Sequence, residues 1–559
     1  MTKHKLSHII FFIGVLAMAN ASCKKSSLQV GDPNDPTVGA NVNTESGLLS
    51  LAEGGVYTNG FINGDGWLGD SYFSLPYGYH ELMADNVGAD ASNNQITTVG
   101  YPTYYITDDG VKHTNGSPSI GILRGYNVLG GSGNNPLFFQ WQNMYALDAA
   151  CNKILAIAPT IKLGGDATTR LNTIKAWCYW WKGYAYSQIG SMYISGLIQD
   201  DPNNVTNAHY LPKDSILDRS NYYLNLAATT LSGITNTGDY STELSQMIPV
   251  ASQSGHGGVL TTTMWQHNIN TLLARNIICN KLAPYVNGNP SATISKSSTS
   301  AMAAADWNQV LTLASNGIQK GDYIFSAHST NTNTIFSAGG GTVAAMTTGN
   351  NISTTFKISV RYIQCFKPAD KRLTTDFNQR STYNNPFYGT PYNITDSLVQ
   401  SATTPYVIGN AQVGQYEAYI AGSYEENALM LGEANIRLGN ITTGLSFVDA
   451  VRDYQGAGVT HVSGVVTDLP TAMKELTNES RVSLFGRGLS FYNSRRWGWI
   501  YDISSGGGQY GQWVYNANKT YFTNVTVDYN FMDYWDIPAD ETQLNPPGTG
   551  SAPILNPNY

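Results

Sequence analysis

Several stretches of this chain carry residue types that do chemistry, and each lacks a partner the chemistry needs. "HELMAD" (80–85) opens as a zinc-protease helix does, but that site needs a second ligand four residues on. The fifth residue here is Ala84. "GDGWLG" (64–69) has the glycine spacing of a dinucleotide-binding turn, yet its flanks "TNGFIN" and "DSYFSLP" read as loop rather than strand and helix. Glu425 and Glu426 are adjacent acids, and neighbours on a helix point apart. They are expected to form a solvated face. No GxSxG elbow and no GxxxxGK[ST] loop occurs. Of five cysteines, Cys23 stands apart near the start, and Cys151, Cys178, Cys279 and Cys365 follow without a CxxC pair. Three of these four lie in apolar helical patterns, where buried free thiols are the expectation. No catalytic residue and no cofactor is expected, and metal binding is left open.

Composition narrows the classes further. Charged residues make up 13% of the 559 residues, against about 25% in typical soluble domains. Asn, Thr, Ser, Gly and 36 Tyr must supply the surface polarity. The net charge is −8 with only 31 Lys and Arg, so no basic field exists to hold phosphate backbones, and nucleic acid is not an expected partner. Hydrophobic residues, at 42%, suffice for a large core.

The N-terminus reads as an export signal. Lys3 and Lys5 precede an apolar run from Ile9 to Ala19. That run is well short of the roughly 20 residues a membrane-spanning helix needs. Small residues Ala21 and Ser22 then stand before Cys23, an arrangement that resembles the lipobox of bacterial lipoproteins. Residues 1–22 are therefore expected to be a lipoprotein signal peptide, Cys23 the acylated first residue, and residues 23–45 a Gly-, Pro-, Ser- and Asn-rich tether. Residues 46–559 are expected to form the folded domain.

That domain shows helical periodicity. Leu137, Trp141 and Tyr145 repeat at four, with Asn135 and Pro136 as start signals. From about Thr168, Leu171, Ile174, Cys178, Trp181, Ala185 and Ile189 keep steps of three and four. Further helices are expected over 263–283, around Trp307 to Ile318, over 419–438, from Gly444 to Tyr454 and over about 470–486. Short-turned pairs suggest tetratricopeptide-like hairpins. Between them, 61–80, 91–135, 236–260, 321–415 and 500–552 read as long loops. The expected fold is mainly α: a tetratricopeptide-like helical-hairpin frame with long elaborated loops.

Taken in order, several segments resemble the RagB/SusD family. They are "SCKKSSLQ", "HELMADN" (80–86), "WQNMYALDAACNKIL" (141–155), "DWNQVLTLASNGI" (306–318), "ENALMLGEANIRLG" (426–439), "NESRVSLFGRGLSFYNSRRWG" (478–498) and the closing "LNPNY" (555–559). The chain departs from the family pattern at Gly486-Arg487, Ser490 and Asn493, which keeps the frame but puts its internal ion pairs in question. Lys24-Lys25 replace the acids that often follow the lipidated Cys. Trp141, Tyr145, Glu433, Arg437 and Trp497 are expected to be frame.

The resemblance implies a non-catalytic outer-membrane lipoprotein facing the exterior. Such a protein binds a glycan and passes it to a SusC-like TonB-dependent transporter. A sugar offers an apolar face to aromatic rings and hydroxyls to short polar groups, and unpaired buried hydroxyls cost about 1–3 kcal/mol each. Aromatic density in the long loops puts the candidate platform at Trp67, Tyr101, Tyr104, Tyr105, Tyr383 and Tyr388. The alternatives are a helical polysaccharide-degrading enzyme, which needs carboxylates across a cleft, and a structural lipoprotein with protein partners only.

Overall fold

The computed structural model describes residues 42–57, 77–89, 95, 98–116, 119–131, 134–203, 207–248, 258–328, 356–379, 392–394, 417–515 and 520–559. Cys23 and its leader, Trp67, Tyr383 and Tyr388 lie outside the described residues.

Eight helices carry the frame: α1 (Phe138–Ile157), α2 (Ala167–Met192), α3 (Lys213–Ser232), α4 (Thr262–Ile278), α5 (Ala304–Ala314), α6 (Tyr424–Arg437), α7 (Ile441–Tyr454) and α8 (Leu469–Ser483). Each packs on the next through α7, α4 also touches α2 and α6, and α8 closes against both α6 and α7. This is the expected helical-hairpin arrangement. Local chemistry starts the helices. Asp166, Thr261, Ser423 and Asp468 accept backbone N–H groups at the N-termini of α2, α4, α6 and α8. Gly439, at φ +89°, turns the chain from α6 into α7.

The tightest crossing is α2 on α3. A Cβ on Gly183 would lie 2.7 Å from Leu224, and one on Gly190 2.9 Å from Leu217, so only glycine permits this approach. Beneath it, Trp177, Trp180, Trp181 and Trp265 gather around Phe325 and are almost wholly buried.

Several segments expected as loops are ordered elements. Thr237–Met247 is a helix capped by Asn236. Residues 104–106 and 112–114 are strands β1 and β2, and 509–515 and 521–528 are strands β3 and β4. They make one antiparallel sheet in the order β3-β4-β1-β2, with Tyr104 opposite Asp528 and Tyr105 opposite Val527. Among the described residues no helix is long and apolar enough to cross a membrane.

Glu425 and Glu426 correct a second expectation. They do point apart, but both are buried rather than solvated. Glu426 takes Arg275 of α4 through two contacts of 2.6 and 2.5 Å, and Glu425 takes Arg487 at 3.0 Å. "HELMADN" is likewise interior. Asp85 accepts from Arg361 and from the Tyr529 hydroxyl, and Arg481 donates to Asn86 at 3.0 Å.

The departures near residue 490 find partners of their own. The Gly486 N–H and the Ser490 hydroxyl donate to Glu81, and Asn493 accepts from Arg496. Burial raises the Glu81 carboxyl to about 7 despite these donors. Trp141 and Trp497 are buried frame residues, as expected. The Trp497 indole donates to Glu433, while Arg437 donates to the carbonyls of Ala283, Pro284 and Pro290. All four described cysteines are buried and free.

Candidate functional site

A cavity of about 490 Å³ opens between α8, the loop at Tyr285–Gly288 and strand β3. Its walls combine rings and amides: Tyr285, Trp499, Tyr510 and Trp513 with Asn287, Gln364, Asn478, Gln509 and Gln512.

The walls are built separately and held rigidly. Helix α8 presents Lys474, Thr477, Asn478 and Arg481, spaced i, i+3, i+4 and i+7, so one helical face looks into the cavity. The Trp499 indole N–H donates to the Tyr285 carbonyl at 2.6 Å, and the Tyr285 hydroxyl donates to the Pro470 carbonyl at 3.0 Å. Burial pushes that phenol up to about 12, so it stays a donor.

Strand β3 supplies the opposite wall. Its pairing with β4 shifts register between Gln509 and Gln512 and again between Gln512 and Val514. Such bulges re-aim side chains. Gly508, at φ +88°, precedes the irregular stretch, and Gly511, at φ +64°, lies within it. Gln512 is turned inward and buried, while Trp513 is left half-buried. Gln364 clamps the bulge: its Oε1 accepts from the Trp513 N–H at 2.7 Å, and its Nε2 donates to the Gly511 carbonyl. Gln512 donates to the Tyr510 carbonyl at 2.9 Å, but its own buried Oε1 has no hydrogen-bond partner among the described residues.

Chemically, the arrangement can stack a flat apolar face and pair hydroxyls. Rings offer flat apolar faces, amides offer paired donors and acceptors, and no Asp or Glu stands among the described lining residues. Among the described residues no cluster of His, Cys, Asp and Glu is arranged to hold a metal ion.

The described tyrosines of the expected platform, Tyr101, Tyr104 and Tyr105, do not line this cavity. Tyr104 and Tyr105 are adjacent on β1, and successive strand residues face opposite ways. Tyr105 is buried, its ring stacked on His113 with centroids 4.6 Å apart. It sits in a strand rather than in the expected loop. Tyr104 is half-buried beneath the Lys112 ammonium, which sits 3.6 Å from the ring centroid. Burial, and then the charges of Asp528, Tyr510 and Asp502, raise its hydroxyl. Tyr104 thus shares a sheet, and an electrostatic neighbourhood, with the cavity-lining Tyr510. Tyr101 is half-buried in the approach to β1.

Sequence reasoning missed Trp499, Trp513, Gln364 and Gln512. The alternation in "QYGQWVY" and "YFTNVTVD" was the available signal for the hairpin that aims two of them.

No family model matches the chain, and no curated protein matches it. Solved structures do match. A SusD-like carbohydrate-binding protein from Bacteroides vulgatus superposes with a TM-score of 0.52 at 11% identity, covering 92% of this chain and 99% of that one. A protein crystallised with a xylogluco-oligosaccharide superposes with a TM-score of 0.52 at 13% identity, covering 91% of this chain and 99% of that one. At such identities the likeness is one of fold, and the chain has the SusD-like fold.

Proposed function

We propose that this protein is a non-catalytic glycan-binding lipoprotein. It captures an oligosaccharide or polysaccharide and delivers it to a SusC-like TonB-dependent transporter in the outer membrane. The observation that carries the reading is the cavity walled by rings and amides on a SusD-like fold. A sugar ring stacks on Trp513, while Gln512, Gln509 and Asn478 meet its hydroxyls. The solved neighbour that holds a xylogluco-oligosaccharide supports the ligand class.

The binding role, rather than an enzymatic one, is supported by the lining itself. Glycoside hydrolysis uses two carboxylates across a cleft, and the described lining residues supply neither. Anchorage through acylated Cys23 and an outward orientation rest on the sequence, as do the transporter partner and a contribution from Trp67, Tyr383 and Tyr388.

The test is affinity electrophoresis in gels cast with a panel of polysaccharides, alongside an assay for new reducing ends. Retardation by at least one polysaccharide without turnover is expected. Free migration in every gel, or turnover that survives repurification, contradicts the proposal.

A further inference from the structure

We infer that the cavity selects a sugar bearing an anionic substituent, a uronate carboxylate or a sulfate ester, which it seats against Lys474 and Arg481 of α8. The inference rests on the glycan-binding reading and names the class of glycan.

Charge pairing on and around α8 is the first observation. The helix lies among closely paired charges. Lys367 takes Glu475, Arg452 takes Glu475 and Glu479, and Arg372 takes Asp370 and Glu479. The two cations on the cavity face are exceptions. Lys474 is exposed and joins no ion pair among the described residues. Arg481 is buried, yet the groups it donates to are neutral: the Asn86 side chain and the carbonyls of Ala84 and Asp85. Glu81 lies near enough to feel its charge but makes no contact ion pair with it. A buried guanidinium without a contacting carboxylate is costly, and an anion in the cavity would offset that cost.

Composition sharpens the point. The whole chain carries 39 acidic and 31 basic residues. The described cavity lining carries two cations and no acid. Seven positions along a helix separate the two cations by about 10 Å, with Thr477 and Asn478 between them as neutral donors. That span fits a sugar ring with one charged substituent better than a compact free ion. The unpartnered Oε1 of Gln512, buried on the facing wall, is an acceptor awaiting a hydroxyl. An anion alone brings no such donor, whereas an anionic sugar brings both.

Calorimetric titration of the purified protein with three oligosaccharides matched in length tests this. One is a neutral galactan fragment, one an oligogalacturonate and one a sulfated galactan fragment. At least one anionic ligand is expected to bind about tenfold or more tighter than the neutral one, the gain of a charge-assisted contact. Its affinity should fall as salt is raised. Lys474→Ala, a change at an exposed position, should lower the anionic-to-neutral affinity ratio about tenfold. Which anionic ligand binds tells uronate from sulfate. Equal affinity for neutral and anionic ligands, with Trp513→Ala weakening both, overturns the anionic selection and leaves the glycan reading standing. Binding of none of the three here, and of no glycan in the electrophoresis panel, overturns both.

Discussion

Glu243 is expected to stay protonated at neutral pH, and replacing it with glutamine should change how stability depends on pH. The residue lies in the Thr237–Met247 helix, fully buried, and neither of its oxygens accepts a hydrogen bond from the described residues. Its nearest cation is Arg170, 3.6 Å away, and that guanidinium already serves Glu45 at 2.6 Å and Asp239 at 2.9 Å. One positive charge does not balance three carboxylates. Burial, followed by the charge of Glu45, pushes the Glu243 carboxyl from 4.5 to about 8. Below the unfolded value both states hold the proton and nothing is lost. Between 4.5 and 8 only the unfolded chain releases it, so stability falls by about 1.4 kcal/mol per pH unit. Above 8 the folded state releases it too, and the fall ends. The full window amounts to roughly 5 kcal/mol. Urea unfolding of wild type and Glu243→Gln at pH 5, 6, 7 and 8 reads the difference directly, because other buried acids cancel between the two proteins. The glutamine variant should gain on wild type at each step upward in pH. Parallel profiles would refute the account of this carboxyl.

Further outcomes follow from the same geometry. Asp85→Asn keeps a side chain that tolerates the local φ of +59° but breaks the buried Asp85–Arg361 ion pair, at a cost of about 3–5 kcal/mol by denaturant unfolding; a loss under 1 kcal/mol would show the pair to be dispensable. Trp499→Ala, at a buried ring, should cost about 3–5 kcal/mol in stability, and a melting temperature close to wild type would place that ring outside the core. Cys23→Ser should release the protein from the membrane fraction, and retention at the wild-type level would dismiss acylation. A C-terminally tagged protein should bring down a TonB-dependent transporter from native membranes in mild detergent, and repeated recovery of the protein alone would count against that partnership.

The helical frame was legible because its signal is local. Leu171, Ile174, Cys178, Trp181 and Ala185 mark one face of α2 within a few turns, and any reader of three-four spacing finds them. The Thr237–Met247 helix reads as loop because Thr, Gly and Ser supply nearly half of it, although Asn236 caps it and Tyr240, Leu244 and Met247 keep the period. The fate of Glu425 and Glu426 was not legible at all. Their partners Arg487 and Arg275 lie 62 and 151 residues away, and no local pattern announces a pairing across that distance. The cavity escaped for the same reason. Gln364, Lys474, Trp499 and Trp513 come from separate segments, and only the register shifts in β3 aim the last of them. Density of tyrosine does not reveal which way rings face, because strand alternation sends Tyr104 and Tyr105 to opposite sides of the sheet.

The central claim is that sugar binds in the ring-and-amide cavity, and Trp513 tests it most directly. This ring is half-buried, so its removal should disturb the fold little. A sugar covering roughly 60 Å² of indole at about 25 cal/mol per Å² contributes on the order of 1.5 kcal/mol, or about tenfold in Kd. Calorimetry of wild type and Trp513→Ala against the polysaccharide that most retards the protein, with a thermal melt of each, is the measurement. The account predicts saturable binding by wild type, about tenfold weaker binding by the variant, and melting temperatures that nearly coincide. Equal affinity of the two proteins for that glycan would contradict it.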